Sequence, residues 1–313
     1  MTVAPAQDRS AAGHARPRTR HIPWRRREIW PIAYALPAVA VVALVFLYSF
    51  VEVVRYSLYS GSIGSLTYVG FANYGALFQD PVFTTSLFNN LKLLSIVPIV
   101  TVLALAVALV INTGVRGWRL YRIFIFFPYV LPATAMGLAF SFILQGSGTL
   151  NTLLQDAHLG FLAHDWLGSP KWVIFSIAGV IIWQQLGFGV VIFSAALLAV
   201  PAELIQAAQI DGASWWVIQR RIMIPQIRRI IQFFMIIMAI TALSSVFTYV
   251  YVLTGGGPAY SSSVMEFYIY QDGFENGAIG IASAAAVVLL GIASILIVLY
   301  LWVRTRTMRE SHQ

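Results

Sequence analysis

No cysteine occurs in the 313 residues, so disulfides, thiolate nucleophiles and cysteine-ligated metal centres are excluded. Charge is scarce as well. Asp, Glu, Lys and Arg make up 10% of the chain, where a soluble domain usually carries about a quarter. With 59% apolar residues and a mean hydropathy of +0.77, the chain cannot cover itself with polar surface, and a bilayer is its natural solvent. Lysine is nearly absent: Lys92 follows Leu and Lys171 follows Pro. A Walker A phosphate loop needs Gly-Lys-Ser/Thr, so the chain has none, and no nucleophile elbow or zinc pattern is present either. No catalytic activity is expected of the isolated chain, and no cofactor within it. The net charge of +8 does not point to nucleic acid, because the basic residues lie between apolar runs, a pattern of membrane topology.

What is abundant is apolar sequence of spanning length. A helix needs roughly 20 apolar residues to cross a hydrocarbon core about 30 Å thick. Six segments meet that test, at 31–51, 91–112, 122–145, 172–199, 229–253 and 280–303. The expected fold is all-α and polytopic, with six transmembrane helices. The interval 200–229 is moderately apolar but holds Glu203, Asp211, Arg220, Arg221, Arg228 and Arg229. At about 3 kcal/mol per central charge, these would oppose insertion by roughly 18 kcal/mol, so the interval is a loop in water or against protein. Of the basic residues, seventeen fall in the N-terminal tail, the second and fourth connections and the C-terminus, and only Arg55, Lys92 and Lys171 in the other three loops. By the positive-inside rule both termini are cytoplasmic. The first 28 residues, rich in Arg, Ala and Pro, read as a disordered basic tail rather than a cleaved signal. Residues 29–306 form the membrane domain and 307–313 a short tail.

The outer loops are less specific. The first, about 52–90, mixes aromatics with turn formers in "GFANYGALF" and offers either interfacial anchors or a docking surface. The second, about 146–171, holds Asp156, His158, His164 and Asp165 at a spacing that matches no metal site. The third opens with "TGGGPAYSSS", where glycine frees the backbone and Pro258 stops a helix.

The cytoplasmic loop "PAELIQAAQIDGASWWVIQRRIMIPQIRR", Pro201 to Arg229, carries the strongest signal. Pro201 and Pro225 bracket it, and the turn dipeptide Asp211-Gly212 divides it into helices at about 203–210 and 214–223. Ala207 and Ala208 give the first helix a small-sided face. Two short helices held at an angle outside a membrane make a rigid knob, able to pass motion from a cytoplasmic partner to the spans.

This segment resembles the "EAA" loop of membrane subunits of binding-protein-dependent ABC importers. The pattern appears as Gln206-Ala207-Ala208, Asp211-Gly212-Ala213 and Ile222-Met223-Ile224-Pro225, with Gln206 in place of the usual Glu, Ile224 in place of Leu, and Gln219 where a Phe is common. "GFANY" (70–74), "RLYRIFIFFPYVLP" (119–132), "GTLNTLL" (148–154) and "LTGGGPAYSSSVMEFYIYQDGF" (253–274) are similar to the carbohydrate branch, of the maltose or glycerol-3-phosphate permease type. The resemblance implies a bacterial cytoplasmic-membrane permease that forms half of a sugar or polyol pathway. It implies a second homologous permease, two ATPase subunits that bind ATP and Mg, and an extracytoplasmic solute-binding protein. It assigns ATPase coupling to Gln206, Ala207, Ala208, Asp211, Gly212 and Pro225, and makes Tyr74, Gly256, Pro258 and Tyr260 candidates for docking the binding protein.

Polar groups at membrane depth face a cavity or another helix. Gln184, Gln185, Ser245, Thr248 and Tyr249 are the candidates for the solute path; packing helix against helix is the alternative. Lys92, Arg122 and Arg229 stand only at the ends of expected spans, and the span interiors contain no Asp, Glu, Lys, Arg or His, which argues against an ion-coupled transporter; no internal repeat of the secondary-transporter kind is evident. A membrane scaffold with no transport role would leave the knob unexplained.

Overall fold

The computed structural model describes residues 29–61, 64–113 and 117–310. The basic tail, residues 1–28, lies outside the described residues. The chain divides into two units, 1–51 and 52–313. The described part of the first belongs to α1 (Ile29–Tyr56), whose residues 34–51 are all exposed, Leu44 and Phe46 at 71% and 72%. A helix apolar all round suits lipid or a membrane partner rather than water.

The second unit begins with a departure from an all-α chain. Strands β1 (Tyr59–Ser60) and β2 (Thr67–Tyr68) pair antiparallel, with Tyr59 opposite Tyr68. The ladder is minimal and is held from outside. The Asn73 amide donates to the carbonyls of Ser57 and Tyr59, both at 2.8 Å. Such support by side chains far along the chain leaves no periodicity in the two strands themselves.

Next come α2 (Ala72–Gln79), α3 (Pro81–Leu93) and α4 (Ile96–Asn112). Proline at the first position and Asp80 as N-cap, its carboxylate accepting from the Val82 amide at 2.7 Å, start α3 as the rules for helix entry require. The second apolar segment therefore runs from Pro81 to Asn112, longer than the 91–112 expected.

The third expected span, 122–145, is not one straight helix. It is α5 (Trp118–Val130) and α6 (Ala133–Ile143), bent by 97°. The cause is in the sequence: Pro132 cannot donate to α5 and forces Leu131 into an extended conformation (ψ 139°). α7 (Thr149–Asp156) and one 3₁₀ turn, Gly160–Leu162, give the second outer loop structure of its own. Here the Asn151 amide donates to the Gly146 and His164 carbonyls, and the Trp166 indole to Asn151.

α8 (Val173–Leu198) is the unbroken fourth apolar helix and the centre of the core. Its glycines admit close neighbours. A Cβ at Gly187 would lie 2.3 Å from the Ile125 carbonyl oxygen of α5, and one at Gly189 2.6 Å from the Ala104 Cβ of α4. Beyond it lie α9 (Ala202–Ile210), α10 (Trp215–Ile218), a π-helical turn at Gln219–Met223 and α11 (Ile224–Gln226).

The fifth expected span, 229–253, is broken as well. α12 (Arg228–Ser244) ends at Ser245 and α13 (Phe247–Leu253) continues it. The Thr241 and Ser244 hydroxyls bond back to the carbonyls of Ile237 (2.9 Å) and Ile240 (2.8 Å), a habit that weakens the helical ladder. A second bend, of 68°, separates Trp215–Gln226 from Arg228–Ser244. The chain closes with α14 (Met265–Tyr270), a π-helical turn at Gln271–Glu275 and α15 (Ile279–Glu310). Among the described residues, four helices are long and apolar enough to cross a membrane, and up to six spans result if each bent pair counts as one. The main core gathers on α4, α8 and α12, where the rings of Phe193 and Phe234 meet edge to face at 5.0 Å.

Candidate functional site

Three groups of residues stand out on this scaffold. The first is the segment between α8 and α12. α9 ends at Asp211, Gly212 turns the chain at φ +75°, and Ser214 precedes α10. Left-handed φ at Gly212 is the reason glycine occupies the turn. Gln206, Ala207, Asp211 and Gly212 are exposed, and Ala208 packs partly against the core. The bend back into α12 falls at Ile227, two residues past Pro225. Unmarked by sequence spacing were the apolar prominences: Ile210 is 86% exposed and Trp216 73%. They stand close in sequence to the exposed Arg220 and Arg221. Exposed apolar side chains flanked by charge mark a surface that meets protein.

The second group lies in the spans. Gln184 and Tyr249 are both 4% exposed. They are brought together: the Tyr249 hydroxyl donates to Gln184 Oε1, and Gln184 Nε2 donates to the Leu131 carbonyl at 2.8 Å. Gln185 is half-buried, Ser245 is exposed at the α12–α13 break, and Thr248 is half-buried one turn further on. Tyr251, 49% exposed, joins a run of rings through Phe247 and Tyr270 to Phe274. Sequence reading assigned Ser245, Thr248 and Tyr249 to one straight span, where the structure has Ser245 at a break and the other two on α13, and it could not tell which were bonded to one another.

The third group joins the Gly-rich loop to α3. The Ser86 hydroxyl donates to Ser263 Oγ at 2.8 Å, and the Asn89 amide to the carbonyls of Ser261 and Ser263 at 2.8 and 2.9 Å. Asn90 accepts from the Met265 amide (2.7 Å) and donates to Glu266 (3.1 Å). Burial pushes the Glu266 carboxyl up to about 7, against the opposing pull of hydrogen bonds from its own amide, Asn90 and the Val246 amide. Glu266 also lies at the wall of a cavity of about 630 Å³ lined mainly by apolar residues of α4, α12 and α15. Asn89, Asn90 and Glu266 were missed, since the only hint was the pair of adjacent asparagines in a helix that also carries Thr84, Thr85, Ser86 and Lys92.

The four docking candidates separate. Tyr260 is 45% exposed at φ +62°. Pro258 is half-buried. Gly256 is buried against the Phe267 ring, which a Cβ would meet at 2.5 Å. Tyr74 donates its hydroxyl inward to Ser57 Oγ at 2.8 Å. In the second outer loop the His164 ring stacks on Trp172 at 4.7 Å, and among the described residues no group of three or more His, Asp and Glu gathers in a metal-binding arrangement.

Unbroken and bent apolar helices packed together, their backbone groups bonded internally, define a polytopic helical membrane protein. Comparison with known proteins gives the family. "Binding-protein-dependent transport system inner membrane component" matches residues 100–307. The chain is 34% identical over 271 residues to the "Probable ABC transporter permease protein YurN" of Bacillus subtilis, covering 85% of this chain and 92% of that one. It is 33% identical over 297 residues to the "Diacetylchitobiose uptake system permease protein NgcF" of Streptomyces coelicolor, covering 90% and 84%. Its fold is similar to a chain of a bacterial alginate ABC transporter crystallised with an alginate pentasaccharide-bound periplasmic protein, at a TM-score of 0.76 and 23% identity, covering 89% of this chain and 95% of that one. The chain belongs to the binding-protein-dependent transport family: it is a multi-pass inner-membrane permease subunit of an ABC importer, with no ATPase function of its own.

Proposed function

We propose that this permease forms half of the translocation pathway for a sugar or related polyol. Separate ATPase subunits drive it, engaging the knob at 201–226. The observation that carries the coupling role is the knob itself: two short helices about Gly212 at φ +75°, with Ile210 and Trp216 standing out. Gln206, Ala207, Ala208, Asp211 and Gly212 form the contact face and Pro225 closes it. A cytoplasmic position of this connection and both termini is supported by their share of the basic residues under the positive-inside rule. ATP and Mg belong to the two ATPase subunits, a second homologous permease completes the path, and an extracytoplasmic binding protein delivers solute.

The solute class rests on the relatives. Four of the transport systems among them, at 28–33% identity, are named for diacetylchitobiose, sulfoquinovosyl glycerol, sn-glycerol-3-phosphate and multiple-sugar transport. Hydroxyls at a broken span suit such a solute, since open backbone at membrane depth is tolerated where it lines a water-filled cavity. Gln185, Ser245 and Thr248 are the side chains left to meet it, while Gln184 and Tyr249 act through each other. Tyr260 is the exposed docking contact, and Tyr74, Gly256 and Pro258 support the outer surface. Closure of the ATPases on ATP draws the knobs together and shifts the spans from inward-open to outward-open, a population shift driven by differential binding.

The test is reconstitution of the complex with its binding protein and a panel of sugars. Hydrolysis should rise when loaded binding protein is added, and Ile210→Ala with Trp216→Ala should remove most of the rise. ATP hydrolysis by the purified chain alone, or a response to amino acids but not sugars, would overturn the reading.

A further inference from the structure

Gln184 sits where three helices meet and uses both ends of its amide. Nε2 donates to the Leu131 carbonyl at 2.8 Å, and Oε1 accepts from the Tyr249 hydroxyl. Leu131 closes α5 at the 97° bend into α6. The bend leaves carbonyl groups with no amide to receive, and within a membrane protein each such group must find a partner. Tyr249 belongs to the first turn of α13, just past the break at Ser245. One buried side chain on α8 therefore joins the break in the third span to the break in the fifth.

Packing around it is close on both sides. Three residues along α8, a Cβ at Gly187 would meet the Ile125 carbonyl oxygen at 2.3 Å and the Phe126 Cα at 2.8 Å. On the far side of the bend, a Cβ at Gly137 of α6 would meet Val252 of α13 at 3.0 Å. Contacts this near, with backbone at Gly187 and with a stiff side chain at Gly137, leave little freedom to translate, so the available motion is a change of angle at the two breaks. A purely packing role would be filled as well by an apolar residue. A buried amide is costly unless bonded, and this one is bonded on two segments that each end at a break.

We propose that Gln184 is a positioning residue: through Leu131 and Tyr249 it sets the angle of the two broken spans against α8, and thereby the balance between the two orientations of the path. This rests on the reading of the chain as a coupled permease. Both states are packed, so loss of the clamp redistributes them without dismantling the fold.

The experiment compares the assembled importer, this chain with its second permease and ATPase subunits, in wild-type, Gln184→Met, Tyr249→Phe and doubly substituted forms. Met keeps length and loses both hydrogen bonds; Phe keeps the ring and loses one. Hydrolysis is measured without binding protein. Gln184→Met should raise this basal rate about tenfold, the order expected from the net contribution of one or two hydrogen bonds. Tyr249→Phe should raise it less, and the double variant no further than Gln184→Met. An unchanged basal rate in either single variant, whether or not the complex melts earlier, overturns the proposal. Wild-type complex is assayed in parallel with binding protein loaded from maltose or diacetylchitobiose. Failure of that response strikes the sugar reading, and leaves the basal comparison to judge Gln184.

Discussion

Asn90 and Glu266, 176 residues apart in the chain, are joined side chain to side chain at 3.1 Å, and Asn90 also accepts from the amide of Met265 at 2.7 Å. The Gly-rich loop is thereby tied to the second apolar segment, in a setting dry enough to push the Glu266 carboxyl up to about 7.

That setting predicts a pH dependence. Burial raises Glu266 from 4.5 in the unfolded chain to about 7 in the folded one. The folded state therefore holds the proton more tightly. The associated stability is complete below about pH 4.5 and is lost as pH rises through about 7. At 1.36 kcal/mol per unit, the span is at most about 3 kcal/mol. Thermal unfolding of the purified complex should be higher at pH 5 than at pH 8. Glu266→Gln should flatten the difference, and an equal slope in both proteins would count against this assignment.

Asn90→Leu removes a partner from the buried Met265 amide and from Glu266 together. Leaving buried groups unpaired costs about 1–3 kcal/mol. Protease cleavage within 254–263, followed by mass spectrometry, should accelerate in this variant, while cleavage within 201–226 stays unchanged.

Two glycines of α8 make a paired test. Gly187→Ala drives a Cβ into the Ile125 backbone, and overpacking of this kind costs about 1–3 kcal/mol. Gly179 has nothing within 4 Å of its Cβ position, so Gly179→Ala should be neutral, or should stabilise by up to about 1 kcal/mol through helix propensity. Melting temperatures of the two variants in one detergent should fall on opposite sides of wild type or differ by several degrees.

At Gly212 the side-chain position is open, yet φ is +75°. The difficulty is therefore conformational, about 1–2 kcal/mol for an ordinary L-residue. Gly212→Val should insert and assemble but lose binding-protein-dependent transport. Gly212→Asn, which tolerates left-handed backbone, should retain more. Equal transport by the two would remove the turn from the coupling pathway.

Composition was enough to read this chain as a polytopic helical membrane protein, because insertion cost depends on residue type along a short window. Turn chemistry at Asp211-Gly212 was legible for the same reason: left-handed backbone selects glycine locally. The 97° bend at Leu131-Pro132 was written in the sequence as well, in a proline at the middle of an apolar run, although hydropathy averages over it. Long-range pairing was not legible. That Gln184 meets Tyr249 and Leu131, that Asn73 supports a two-residue ladder, and that Asn90 reaches Glu266 depend on which helices come to lie side by side. An amide has the same composition whether it faces solute, lipid or a freed carbonyl. Only the packing of α8 against both broken spans decided which of its partners it found.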